Sequence, residues 1–431
     1  MNEKSDIRDW ENTTIGELPV EIIDGDRSSR YPKRHELVDH GIPFLSTTNI
    51  CDNRLELSDV AFITPSKFAE FSKGSLRRHD VILTTRGSVG KTAYYCCEYD
   101  VGLINAQMLI LRADPKRMSP RYLFYLLASD CMQKAFANYA SGSAQPQLPI
   151  QDLRAIEVVI PPFEIQRKIG FILSAYDDLI ENNLRRIAIL EEMARAIYRE
   201  WFVEFRYPGR GSEPLVESQA GPIPRDWQSG PIGSLVETTG GGTPSTSRPE
   251  YWEDGDITWY TPSDLTANDA MFITRSSRRI TELGLRGSSA KLFPPYSVMM
   301  TSRATIGVVS IATTEACTNQ GFITCIPNDS ISSYHLYFWL LENQQTIASF
   351  ASGATFKEIS RTVFRRLPIA VPPKDVAKAF VKVVDPVAKL VEVLLKQDLV
   401  LRNTRDLLLP RLISGELDVS NITIDAEEDH L

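Results

Sequence analysis

The sequence repeats itself once, and this limits the fold more than any single motif does, because a chain written twice must build the same unit twice. Asp9-Trp10 recurs as Asp226-Trp227 and Ile15-Gly16 as Ile232-Gly233, an offset of 217 that also relates Ile63-Thr64 to Ile280-Thr281. In the same register "TTRGSVG" at 84–90 stands over "TSRATIG" at 301–307, with Arg86 on Arg303 and Gly90 on Gly307. The offset then drifts, as loop insertions make it drift. Gln107 is set against Gln320, Leu126-Leu127 against Leu340-Leu341, and Ala140-Ser141-Gly142 against Ala351-Ser352-Gly353, where it has fallen to 211. That register carries "IEVVIPP" (156–162) onto "LPIAVPP" (367–373) and Glu181 onto Glu392.

Both halves share one internal order. Short β-branched runs such as "DVILTTR", "MLILR" and "IEVVI", or "SVMMTSR", "GFITCI" and "LPIAV", sit between Gly, Pro, Ser and Thr punctuation and predict short strands. A short amphipathic helix interrupts them at "SPRYLFYLLASDCMQKAFANY" and again at "SSYHLYFWLLENQQTIASF". After Pro161-Pro162 and Pro372-Pro373 a long helix begins, as proline favours in a first turn. The first carries a stripe of Ile165, Ile169, Ile172, Tyr176, Ile180, Asn183, Ile187, Leu190, Ala194, Ile197 and Trp201. The second carries Val376, Phe380, Val383, Val387, Val391, Leu394, Asp398, Leu401, Arg405, Leu408 and Leu412. Such stripes, three and four residues apart, predict a coiled coil of roughly 50 to 60 Å. The polar breaks at Asn183, Asp398 and Arg405 fix its register, unless the last of them marks a fraying end.

The expected fold is α/β (α+β): two globular domains at 1–160 and 226–371, helices at 161–206 and 372–418 that pair antiparallel, a linker at 207–225 and a tail at 419–431. The Pro, Gly and Ser of "YPGRGSEPLVESQAGPIPRD" suit a linker. The tail ends in "DAEEDHL", an acidic run that reads as disorder.

Composition narrows the function classes. The 431 residues are 43% apolar and 24% charged, with no run of about 18 apolar residues to span a membrane. A cytoplasmic protein is expected. Cys51, Cys96, Cys97, Cys131, Cys317 and Cys325 form no C-x-x-C pair, and with five histidines a zinc site is not supported. The net charge of −8 argues against a general polyanion binder. Local basic patches oppose that average: Arg27, Arg30, Lys33 and Arg34 in one half, Arg275, Arg278 and Arg279 in the other, either of which alone reads as solvated loop charge.

Motifs for catalysis fail on inspection. "TTRGSVGKT" ends like a phosphate-binding loop, but a Walker A loop needs glycine where Thr85 stands and a helix where "AYYCCEYD" follows. The second copy has Val308 in place of Lys91, so what the duplication retains is Thr-x-Arg-x-x-x-Gly. "IPPF" at 160–163 and "FPPY" at 293–296 lack the Asn or Asp that an amino-methyltransferase needs to hold a flipped base. No catalytic constellation remains.

Two variable α/β halves, each closed by Pro-Pro and a long helix, resemble the specificity subunit of type I restriction-modification systems. The likeness is carried by "LPIQDLRAIEVVIPPFEIQRKIGFILSAYDDLIENNLRRI", "ARAIYREWFVEF", "LPIAVPP" and "LLLPRLISGELDV", and in the recognition domains by "IIDGDRSSRYPK", "GIPFLSTTNI", "TRGSVGK" and "GGTPST". It covers nearly the whole chain. The resemblance implies a non-catalytic, DNA-binding protein in which each half reads one part of a bipartite double-stranded target and the helices set the spacer. It implies two modification (methyltransferase) subunits and restriction (translocase/nuclease) subunits as partners, with S-adenosylmethionine, ATP and Mg held there, and no cofactor in this chain.

Arginine paired with guanine, and Asn or Gln paired with adenine, are the favoured base contacts. The DNA-binding candidates are therefore Arg86 with Thr85, Ser88 and Lys91, and Arg303 with Ser302 and Thr305. Gln107 and Gln320 rank second. Arg27, Ser28, Arg30 and Lys33 in one half, and Thr243, Ser245 and Arg248 in the other, are expected at backbone or bases. Gly90 and Gly307 suit a turn, and Trp201 and Phe202 suit core. Two other readings stay open: an assembly scaffold that no longer binds DNA, and an ATP-binding enzyme using Lys91.

Overall fold

Pro161-Pro162 and Pro372-Pro373 divide two kinds of structure in this computed structural model, which describes residues 10–28, 30–142, 145–209, 214–353 and 357–424. Ahead of each pair a strand closes its domain: Glu157–Ile160 lies antiparallel to Glu11–Thr14, and Pro368–Val371 to Gln228–Pro231. Behind each pair runs a 40-residue helix, Phe163–Phe202 and Lys374–Ile413. The fixed φ of proline suits a first turn, where its missing N–H is not needed. The acidic "DAEEDHL" at 425–431 lies outside the described residues.

The chain divides into two compact units, one of Met1–Ile180 with Leu401–Leu431 and the other of Glu181–Val400. In the first, an antiparallel sheet runs in the order Thr92–Tyr94, Val81–Thr84, Met108–Ala113, Val20–Asp24. Its two central strands, Val81–Thr84 and Met108–Ala113, read as near-continuous apolar runs because both faces are covered. Val81, Leu83, Leu109 and Leu111 face Tyr122, Leu123 and Leu127, while Ile82, Met108 and Ile110 face Leu45, Ile50, Tyr95 and Ile104. A second sheet of five strands is ordered Leu37–Val38, Ala61–Ile63, Ile42–Leu45, Val101–Ile104, Ser75–Arg77.

The second unit repeats the plan with a changed division of strands. Five are ordered Glu237–Thr239, Phe322–Ile326, Val298–Thr301, Val309–Ala312, Phe272–Ile273, and three are ordered Arg278–Ile280, Ile257–Tyr260, Ala316–Thr318. Each single short helix expected to interrupt the strands is in fact two. Pro120–Ala128 stops at Ser129, whose hydroxyl donates to Leu126 O at 2.7 Å and caps Asp130–Tyr139; Ser333–Glu342 likewise stops at Asn343 before Gln344–Ser349.

The long helices pair antiparallel within each unit. In the second unit Asn183 meets Asp398, whereas Tyr198, Trp201 and Phe202 cluster around Phe380, so partner numbers fall as those of the first helix rise. Trp201 and Phe202 are core residues. In the first unit Arg405 is held between Asp177 and Asp406 and is largely buried, so this end of the helix is not frayed. The stripe needs one change of phase. Val383 is 43% exposed while Val384 and Ala388 are fully buried; adjacent valines are equal in hydropathy, and only packing separates them. The described part of the linker carries a small hairpin, Leu215–Val216 with Ile223–Pro224, and its Tyr207 and Ile223 are buried with Trp201 and Trp227. Val419, at the start of the expected tail, is buried in the core of the first unit.

Asn183 Nδ2–H donates to Asp398 Oδ1 at 2.9 Å, and both side chains are 4% exposed. Removing one partner of a buried pair leaves the other desolvated. Asn183→Leu should therefore lower unfolding free energy by about 1–3 kcal/mol in denaturant titration, and Asn183→Leu with Asp398→Leu should recover most of it. Glu191 supplies a pH test in the same unit. Its Oε1 accepts the Met271 N–H at 2.6 Å, and burial pushes its carboxyl up to about 7. A raised carboxyl keeps its proton in the folded state after the unfolded chain has lost it, so stability is highest at acid pH and falls as pH rises through about 7. Glu191→Gln should remove this decline, on the order of 1–3 kcal/mol, between melts at pH 5 and pH 8.

Candidate nucleic-acid interface

Strand register brings the candidate loops together. In the first unit Leu109 lies opposite Asp24 and Met108 opposite Thr84. One end of the sheet thus carries three connections: the segment after Asp24 with Arg27, Ser28, Arg30 and Lys33, the segment after Thr84 with Arg86, and residues 105–107. In the second unit Thr239 lies opposite Thr324 and Thr301 opposite Phe322, which gathers 240–248, 302–308 and 319–321 at the corresponding end. Hydrogen bonds tie these neighbours: Gly25 N–H to Met108 O at 3.3 Å and Thr85 N–H to Gln107 O at 2.8 Å, then Gly242 N–H to Thr318 O at 2.9 Å and Ser302 N–H to Gly321 O at 2.8 Å.

The arginine segments are hairpins held by a buried threonine. Thr84 N–H donates to Lys91 O, and Gly90 N–H to Thr84 O, both at 2.9 Å. The Thr84 hydroxyl donates to Ser88 O and accepts the Lys91 N–H at 2.9 Å. Thr301 makes the same four bonds with Val308, Gly307 and Thr305. Gly90 and Gly307 turn the chain at φ 96° and 90°, a region that penalises a side chain. Gly87 and Ala304, each following its arginine, are also left-handed, at φ 74° and 58°. The Thr85, Gly87 and Gly90 amides donate to carbonyls and the Lys91 amide to the Thr84 hydroxyl, and the chain continues into the strand Thr92–Tyr94 where a Walker A loop would open a helix. Lys91 Nζ donates to Ile50 O at 3.0 Å.

A second segment braces each hairpin. Gly87 N–H donates to Pro146 O at 3.0 Å and Leu148 N–H to Thr85 O at 2.9 Å; Ala304 N–H donates to Lys357 O at 3.2 Å and Ile359 N–H to Ser302 O at 3.1 Å. Arg86 and Arg303 project from these braced limbs. The half-buried Arg86 side chain makes no hydrogen bond or ion pair among the described residues. Arg303 Nε pairs with Glu358 Oε1 at 2.9 Å, both side chains being over two-fifths exposed. Such an exposed pair is weak and exchangeable.

The other candidates divide. Ser88, Thr305, Gln320, Thr243, Ser245 and Arg248 are exposed, and Thr243 Oγ1–H donates to Gln320 Oε1 at 2.8 Å. Arg248 donates to Tyr251 Oη at 2.7 Å. Arg27, Ser28, Arg30 and Lys33 are exposed too; Arg27 pairs with Asp24 at 3.1 Å and Arg30 donates to Glu70 O at 2.9 Å. Below them Asp26 is buried, and hydrogen bonds from Ser28 hold its carboxyl under the usual range. Thr85 and Ser302 lie deeper than a DNA contact calls for: they are 3% and 2% exposed, next to the bracing segments, and the Thr85 hydroxyl donates to Gln107 O at 3.3 Å. The pairing of Gln107 with Gln320 is corrected. Asn105 Oδ1 accepts the Gln107 N–H at 2.9 Å as Asn319 Oδ1 accepts the Gly321 N–H at 2.8 Å, so Asn105 matches Asn319 and Gln107 matches Gly321.

The family described as "Type I restriction modification DNA specificity domain" matches residues 7–192 and 224–399, once per repeat and over most of the chain. The chain belongs to that family. The HindI specificity subunit of Haemophilus influenzae is 24% identical over 475 residues, spanning 95% of this chain and all of that one. The MjaIX specificity subunit of Methanocaldococcus jannaschii is 36% identical over 205 residues, about half of each chain. The crystal structure of a type I S subunit from M. genitalium shares the fold, with a TM-score of 0.60 at 15% identity over 96% of this chain and 98% of that one. As a specificity subunit the chain is non-catalytic, with two tandem recognition domains, and the system's catalytic activities lie in partner subunits. Among the described residues no helix is long and apolar enough to cross a membrane, and no His, Cys, Asp and Glu group is arranged to hold a metal.

Thr84→Val or Thr301→Val deletes a buried hydroxyl with two backbone partners. Each should cost about 1–3 kcal/mol in thermal or denaturant unfolding of the full chain, and Thr→Ser at either position should restore most of it.

Proposed function

We propose that this specificity subunit reads a bipartite double-stranded DNA target, one half through the Arg86 hairpin and the other through the Arg303 hairpin. The observation that carries this reading is the same arginine hairpin built bond for bond at the same sheet end in both repeats. A planar guanidinium on a braced limb suits bidentate contact with guanine. Ser88, Thr305, Gln320 and Thr243 flank that contact, and Arg27, Ser28, Arg30, Lys33, Ser245 and Arg248 bind the adjoining backbone or bases. Gln107 is a lesser base contact, and Lys91 braces its loop.

The two long helices act as a ruler for the spacer between half-sites and as the seat for two modification subunits, with restriction subunits joining the complex. S-adenosylmethionine, ATP and Mg belong to those partners. The complex works in the cytoplasm, where its DNA is.

Arg86→Ala should change the methylated motif in one half-site and Arg303→Ala in the other, each at a cost of about 1–3 kcal/mol against the preferred base. Methylome sequencing of cells carrying each variant reads this directly; an unchanged motif in both removes the assignment. One heptad inserted into each long helix should lengthen the spacer and leave both half-sites intact. A protein that served only as an assembly scaffold would show no steep loss of DNA retention with salt in the complex.

A further inference from the structure

The arginines of "RSSRRI" are not used by the hairpins, yet one of them is held in a defined place. Arg278 stands directly opposite Trp259 in the antiparallel pair of Ile257–Tyr260 with Arg278–Ile280. Its guanidinium carbon lies 3.6 Å from the ring centroid of Trp252 and 5.9 Å from that of Trp259. The two indoles meet edge to face, 5.0 Å apart at 85°. Arg278 is exposed and forms no ion pair among the described residues, although Glu250, Glu253, Asp254 and Asp256 flank Trp252 in the chain.

Both indoles also reach the candidate DNA loop. Trp259 Nε1–H donates to Gly242 O at 2.9 Å and Trp252 Nε1–H to Ser245 O at 3.0 Å. These bonds bracket Thr243, which is joined through Gln320 and Gly321 to Ser302 and the Arg303 hairpin. The guanidinium plate therefore adjoins the proposed reading surface. At the equivalent strand position of the first unit Phe44 lies opposite Ala61, where the second unit has Trp259 opposite Arg278.

Stacking on an indole fixes the plane of a guanidinium while its N–H donors stay free at the edge. Edge donors of a pre-oriented cation suit a phosphate oxygen, and a position on the separate three-stranded sheet, outside the hairpin, suits a contact that positions the duplex and does not read bases. We propose that Arg278, held on Trp252, is a phosphodiester-backbone contact of the second recognition domain at a position where the first domain has Ala61. This rests on the DNA-reading function proposed above.

The test uses the full chain in complex with its modification subunits, a duplex carrying the methylation-mapped target and a short random-sequence duplex, with affinity measured across a salt series. Arg278→Ala should weaken binding several-fold on both duplexes, reduce the slope of log affinity against log salt by ~0.9, and leave the methylated motif unchanged in both halves. Arg278→Lys keeps the charge and should keep the wild-type slope. Three results would overturn the proposal: a wild-type slope in Arg278→Ala, an equal loss of slope in both variants, or an altered motif in the second half-site. A wild-type complex with no salt slope would instead remove the DNA-reading function itself.

Discussion

The strand Val81–Thr84 and its counterpart Val298–Thr301 are covered on both faces, and the rest of each recognition domain depends on this. Alternate residues go into different cores, Val81 and Leu83 to one and Ile82 to the other, as Val298 and Met300 part from Met299. A slip of one residue would turn every side chain of the strand to the opposite core and move its end relative to the neighbouring strands. With the register fixed, the strand must end at Thr84 or Thr301, and the arginine two residues on must emerge where it does.

The duplication also marks a scaffold common to the two halves. Thr84 and Thr301, Gly90 and Gly307, Asn105 and Asn319 keep identical bonds in both copies, so they belong to the scaffold. Elsewhere the copies place different side chains on the same frame: Ser88 stands where the second half has Thr305, and Phe44 where it has the larger Trp259.

Much of this was legible in the sequence because repetition is read by counting. The two domains, the Pro-Pro junctions, the helix pairing and a strand in place of a helix after Lys91 were all within reach of placing one half over the other. Sequence and structure part where counting is ambiguous. "NAQ" and "NQG" align on glutamine by identity, but the side-chain bonds align them on asparagine. Val383 and Val384 are indistinguishable by hydropathy, and Thr85 reads as polar surface although a distant segment covers it. The stack of Arg278 on Trp252 joins residues 26 apart, with only a basic patch as its signal.

The first compact unit is interrupted in sequence, since residues Leu401–Leu431 return to join Met1–Ile180, whereas the second is continuous. Leu412 and Val419 are buried in the first unit's core beside residues made hundreds of positions earlier. During synthesis the second unit can therefore finish its core while the first still waits for its last helix. The half that leaves the ribosome first is the half that closes last, and until Leu412 and Val419 arrive it carries an uncovered apolar surface.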